Sequence, residues 1–209
     1  MTQPPSAPGL TTQELEAIYS ISRTVSETVE LDKALSEIVA TARPVFIFDN
    51  AVLYLEDADG GELEPAFARA VGRGRSSEAE SSWGALAGKT AYDSEQNFVY
   101  EPPIEPELDR LERPYYLGIP LRISGKPIGS VVFVRFGGPP FTQEQIHLAE
   151  YIAAHVTQVL EHQRLVERIA NLEAERRLAQ LQSDFIATIS HELKTPLGFI
   201  KGYSTTLLR

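Results

Sequence analysis

The chain has 209 residues with 29 acidic and 19 basic side chains, a formal charge of −10, and so has room for one ordinary domain plus something smaller. Hydrophobic content of 43% with 23% charged residues describes a soluble, folded chain, and the acid excess argues against a nucleic-acid partner, which selects a basic footprint. Without cysteine there are no disulfides, thiolate metal sites, iron–sulfur clusters or thiol nucleophiles. The longest uncharged apolar stretch, Ile128 to Val134, is far short of the ~20 residues that cross a bilayer, so membrane insertion is not expected.

Residues 1–10, rich in proline and serine, have neither the basic nor the apolar region of a signal peptide and are expected to be a disordered leader on a cytoplasmic protein. Thr11 and Glu14 make a capping box, and Leu10 with Leu15 is spaced as a hydrophobic staple. Leu15, Ile18, Val25 and Val29 then predict a helix near 12–28. Leu31 to Ala42, with Leu35, Ile38 and Val39 on one face, predicts a second helix that ends near Pro44.

From residue 45 to 136 the pattern is that of strands. Ala51–Leu55 and Leu63–Val71 flank the turn at 57–61 and read as a hairpin. A polar loop over 72–82, a short helix over Trp83–Tyr92, a brief strand at Phe98–Tyr100 and a proline-punctuated acidic loop over 102–114 follow. Tyr115–Ile123 and Ile128–Phe136, turned at Ser124-Gly125-Lys126-Pro127, form the strongest hairpin. Helices followed by antiparallel strands with a helical insertion imply an α+β fold.

Gly137-Gly138-Pro139-Pro140 ends the last strand. Thr142 and Gln145 form a capping box, with Phe141 and Ile146 as its staple. From there the chain has no proline before 196 and no glycine before 198, so one helix of more than fifty residues is expected. Alternating steps of four and three from Leu165 reach Ile169, Leu172, Arg176, Ala179, Ser183, Ile186, Ser190, Leu193, Leu197, Ile200, Ser204 and Leu207. Nine of these thirteen positions are apolar, the pattern of a two-stranded coiled coil. A second stripe, Leu178, Leu181, Phe185 and Ile189, competes around the polar seam positions and marks a stutter; a broader face entering a four-helix bundle is the other reading. Either one requires a homodimer through this helix. His155 and His162 lie on the upstream extension of the seam, either facing symmetry mates or as partly exposed polar residues, the second being favoured. No third ligand at a suitable spacing supports a metal site.

The run Phe185-Ile-Ala-Thr-Ile-Ser-His-Glu-Leu-Lys-Thr-Pro-Leu197 resembles the H-box of sensor histidine kinases, in the phosphoacceptor helix of their dimerisation (HisKA) domain. The resemblance implies autophosphorylation of His191 from ATP and transfer to an aspartate on a response-regulator receiver domain. Ile189 and Leu193 flank His191 by two residues each way, so at 100° per residue the ring is expected to point away from the seam. An exposed imidazole titrates near ~6.5 and is largely neutral and nucleophilic at physiological pH. By family resemblance Glu192 accepts a hydrogen bond from Nδ1–H, which leaves Nε2 free for attack, and Thr195 matches the residue that orients a hydrolytic water in the family's phosphatase reaction. Pro196 withholds the donor that would meet the carbonyl of residue 192, allowing a bend one turn after the histidine. The chain stops at Arg209 inside that helix, so ATP and Mg²⁺ are expected only with the family's ATP-binding domain, and no cofactor is assigned to this chain. It reads as part of a longer kinase or as a natural truncation.

Trp83-Gly84-Ala-Leu-Ala-Gly88-Lys89, the stretch Gly118-Ile-Pro120-Leu121 with Gly125 and Ile128-Gly129-Ser-Val-Val-Phe133, and Phe141-Thr142 resemble the inserted helix, terminal hairpin and closing helix of a GAF domain. The expected organisation is therefore a leader at 1–10, a GAF-like sensor at 11–160, a coiled-coil signalling helix at 161–183 and the first HisKA helix at 184–209. The GAF resemblance implies a small-molecule pocket between sheet and inserted helix. Trp83, Tyr92, Phe98, Tyr115 and Tyr116 are candidates to line it, against the alternative that they are plain core. Lack of cysteine excludes a covalent bilin, and no histidine before residue 147 offers a haem ligand, so the ligand is left open. From a different class, the alternative is a non-enzymatic ligand-binding or dimerisation module whose H-box is idle.

Overall fold

The computed structural model describes residues 12–27, 31–57, 62–71, 84–103, 108–109 and 112–207; the side chains at 12–15, 24–27, 31, 191, 195 and 199–207 lie outside this description. The elements in chain order are α1 (Thr12–Glu27), α2 (Leu31–Ala42), β1 (Asn50–Glu56), β2 (Leu63–Ala70), α3 (Ala85–Ser94), β3 (Phe98–Tyr100), β4 (Pro114–Ile123), β5 (Lys126–Phe136) and α4 (Gln143–Leu207). The capping box expected at Thr11 and Glu14, the polar loop at 72–82 and Trp83 fall outside the described positions.

Ala34, Leu35, Ile38, Val39 and Ala42 place one apolar stripe of α2 in the core, which is why this twelve-residue segment is helical from end to end. Five antiparallel strands run in the order β2-β1-β5-β4-β3. β1 and β5 sit inside the sheet and are buried on both faces, so they read as continuous apolar runs. Ala51, Leu53, Val131 and Phe133 join the larger core with α2 and the first turns of α4; Val52, Tyr54, Val132, Val134 and Phe136 face the other way, towards Ala87 of α3. This alternation is the period of two that a pleated strand imposes. Phe46, Phe48, Phe133 and Phe141 gather at one end of the larger core with ring centroids 4.8–5.8 Å apart.

Hairpin β4–β5 turns on two residues, Ser124 and Gly125, both with positive φ (52° and 81°), the geometry that matches strand twist. The turn is therefore tighter than the four-residue one expected, and Lys126 and Pro127 belong to β5, with a register shift between Leu121 and Arg122 absorbing the difference. Among the described residues β3 pairs with Tyr116, Leu117 and Gly118 of β4, and no strand pairs with the outer edge of β4 beyond that point.

α4 opens as its sequence dictates. The Thr142 amide donates to Gln145 Oε1 (3.2 Å) and the Gln145 amide donates to Thr142 Oγ1 (3.3 Å), while Phe141 and Ile146 are buried. The helix is assigned over 65 residues and contains Pro196. Contacts divide the chain into two units, residues up to Gln163 and residues from Arg164 on. In the second unit the seam residues Leu165, Ile169, Leu172, Ile186, Leu193 and Leu197 and the second stripe Leu178, Leu181, Phe185 and Ile189 are all exposed.

Candidate functional site

The motif Phe185–Leu197 is helical throughout, Pro196 included. Glu192 and Lys194 are exposed, as are Ile189 and Leu193 on either side of the histidine. The side chains of His191 and Thr195 lie outside the described positions. Upstream, Thr188 Oγ1 donates to the Asp184 carbonyl (2.8 Å) and Gln180 Nε2 donates to Asp184 Oδ1 (2.9 Å), both within one or two turns of the same helix.

The GAF-like unit has a cavity of about 570 Å³ beside the first turn of α3, within the ordinary size of small-molecule sites. Its position follows from how α3 sits on the sheet. A Cβ added at Gly84 would meet Val132 Cγ1 at 2.6 Å, one at Gly88 would meet the Tyr54 ring at 2.8 Å, and one at Gly118 would meet the Ala87 carbonyl at 2.8 Å. The helix rests directly on the sheet at these positions, and the open volume lies to the side, over β3 and the adjoining part of β4. Of the candidate lining residues, Phe98 and Tyr116 border it. Tyr92 and Tyr115 do not. Tyr92 is hydrogen-bonded to Glu56, which together with the larger effect of burial pushes its phenol up, and Tyr115 packs against the larger core. Tyr100, Pro102, Pro103 and Pro114 line it as well and escaped the sequence reading. Tyr100 could have been found, because in a strand it must share a face with Phe98.

His155 is held inside the first unit. Its Nε2 lies 3.0 Å from Ser22 Oγ of α1, its Nδ1 3.0 Å from the Tyr151 carbonyl, and its ring 4.2 Å from the Tyr151 ring. The Tyr151 hydroxyl also reaches Ser22 Oγ, at 2.9 Å. A partly buried polar residue is thus the reading that fits His155, while His162 is exposed. Among the described residues no group of three or more His, Asp or Glu could hold a metal ion, and no helix is long and apolar enough to cross a membrane.

A family model for the GAF domain matches residues 30–160. The chain belongs to the GAF family. A second model, the His Kinase A (phospho-acceptor) domain, matches residues 181–209 and contains the H-box run from residue 185 to 197. Over 48 residues, 23% of this chain, the sequence is 46% identical to the phosphate regulon sensor protein PhoR of Pseudomonas aeruginosa, and the match spans 10% of that protein. In chain order, then, a GAF domain is followed by a stretch similar to the phosphoacceptor domain of histidine kinases, and the chain spans only a small part of the sensor protein it matches.

Among solved structures, the GAF domain of an Acinetobacter phosphoenolpyruvate-protein phosphotransferase is similar at TM-score 0.59 and 16% identity, covering 76% of this chain and 99% of that one. The corresponding domain from Coxiella burnetii gives 0.58 and 20%, with 75% and 97% covered. The free methionine-R-sulfoxide reductase of Neisseria meningitidis, solved with its substrate, gives 0.57 and 16%, with 77% and 97% covered. At these identities the likeness is one of fold.

Proposed function

We propose that this chain is the sensory and phosphoacceptor portion of a two-component kinase and that His191 carries the phosphoryl group. The observation that carries the reading is the thirteen-residue H-box run, helical and flanked by exposed apolar residues, inside the HisKA match. In this reading Glu192 accepts a hydrogen bond from Nδ1–H of His191, which fixes the tautomer and leaves the Nε2 lone pair to attack the γ-phosphorus. The P–O bond to the leaving ADP breaks as the N–P bond forms, and the phosphoryl group then passes to an aspartate of a response-regulator receiver domain. Thr195 orients the water of the phosphatase reaction, which attacks the phosphoryl group on the regulator's aspartate and releases inorganic phosphate. ATP and Mg²⁺ come with the ATP-binding domain of the same kinase, since this chain's own residues offer the acceptor and not the phosphate cradle. Two copies pair through residues 163–209, where the exposed seam is otherwise left in water, and a small molecule in the GAF cavity is the input.

The deciding experiment supplies the ATP-binding domain of the parent kinase in trans and maps phosphate by mass spectrometry. An acid-labile phosphate on His191 that disappears in His191→Gln is expected. Labelling that persists in the variant refutes the assignment, and no labelling of either chain favours an idle H-box.

A further inference from the structure

We propose that the cavity beside α3 takes a planar aromatic ligand that carries no negative charge; the proposal deepens the reading of the GAF unit as the sensory half. The register sets Tyr100 directly across from Tyr116, and their ring centroids are 5.8 Å apart with planes inclined at 39°. Phe98 stands two residues along on the same face, opposite Gly118. Three aromatic rings from two neighbouring strands thus line one wall, and Pro102, Pro103 and Pro114 add rigid apolar surface. Flat rings and prolines offer stacking faces at little conformational cost, which suits a flat guest better than a branched or flexible one.

The charge of the ligand follows from what faces the cavity. Among the described residues that line it, Glu112 is the charged one, and no Lys, Arg or His is among them. Its carboxylate accepts the Asp109 amide at 2.9 Å, which holds the group in place without neutralising it. The Tyr116 phenol is pushed above its ordinary 10.0, chiefly by burial and then by Tyr100, so it stays a neutral hydrogen-bonding group at physiological pH. A carboxylate or phosphate entering here would lose its water and meet a like charge. A cation would meet ring faces and a carboxylate, both of which favour it.

Three ligands with one ring system and three charges test this on the full chain by isothermal titration calorimetry at neutral pH: indole, tryptamine and indole-3-acetate. Saturable binding of indole and tryptamine is expected, with indole-3-acetate weaker than tryptamine by about tenfold or more. Tyr100→Ala should weaken indole and tryptamine together, and Leu86→Trp, at the exposed mouth, should block both without disturbing the sheet. Glu112→Gln should bring tryptamine to within about twofold of indole while leaving indole unchanged. Circular dichroism of each variant guards against a lost fold. Absence of saturable binding by all three ligands, equal or tighter binding of indole-3-acetate, or folded Tyr100→Ala and Leu86→Trp variants that bind as the parent does overturns the proposal. Phosphoryl transfer enters none of these measurements, so failure here leaves the assignment of His191 standing, and the reverse.

Discussion

Arg135 is the side chain whose loss should be felt most in the first unit. It is 3% exposed, one residue from the end of the apolar strand β5. Its Nε and Nη2 donate to the Ile47 carbonyl, its Nη1 to the Pro139 carbonyl at 2.7 Å, and its Nη2 also to Gln145 Oε1 at 3.0 Å. The guanidinium carbon lies 4.3 Å from the centre of the Phe141 ring. Asp49, whose carboxylate accepts the Phe136 amide at 2.8 Å, supplies the opposing charge that offsets part of the pKa lowering caused by burial. One cation therefore ties the segment before β1, the end of β5 and the capping box of α4. Arg135→Met keeps apolar bulk but strands the Ile47 and Pro139 carbonyls, each costing about 1–3 kcal/mol if left unmet, and leaves Asp49 without its opposing charge, while Gln145 Oε1 keeps the Thr142 amide. Because water and local adjustment recover part of this, a loss of about 3–5 kcal/mol is expected, the range for breaking a buried charge cluster. In urea, with a slope of about 2 kcal/mol/M, the midpoint should fall by about 1.5–2.5 M. Arg135→Lys keeps the charge without the fork and should recover less than half of the loss. A loss below about 1 kcal/mol for Arg135→Met would show that these bonds contribute little net stability, and the reasoning would fail.

Gly118→Ala places a Cβ 2.8 Å from the Ala87 carbonyl and 3.1 Å from Ala91 Cβ. It should cost about 1–3 kcal/mol in denaturant unfolding by lifting α3; a neutral result would mean that α3 is free to move away. Burial pushes up the phenols of both Tyr54 and Tyr116, so the folded state holds these protons above the ordinary 10.0. Their contribution to stability is then complete below about pH 10 and is lost as the pH rises through the folded values, because the unfolded chain ionises first. Denaturant midpoints between pH 8 and 11 check this, and Tyr54→Phe should flatten the alkaline decline. Multi-angle light scattering should give a dimer at tens of micromolar, and a monomer would leave the seam from Leu165 onward without a partner.

Local chemistry made much of this legible. The stripe of α2, the Thr142–Gln145 box and the glycine at the β4–β5 turn each act over a few residues, and those elements lie where the pattern puts them. The H-box is legible for the same reason, being one unbroken run. What depends on distant pairings was not. That β1 sits beside β5, that Ser22 meets His155, and that Tyr92 and Tyr115 turn away from the cavity while Tyr100 turns into it are set by sheet order and register, which no single segment encodes. Arg135 did leave a signal, as a lone cation inside the run Val131–Phe136, but its partners at Ile47 and Gln145 come from two other parts of the chain.

The short reach of β3 also has a consequence for how copies of this protein avoid one another. Beyond Gly118 the rim of β4 would offer a ready template for a foreign strand, the usual route to aggregation. Pro120 lies on that stretch and has no amide hydrogen to give, and Arg122 next along is fastened to Glu95 at 2.9 Å. At the opposite rim β2 carries Pro65 at its register shift, with Glu64 and Arg69 beside it. Proline and charged side chains thus lie on both of these stretches, where they disfavour the docking of a further strand.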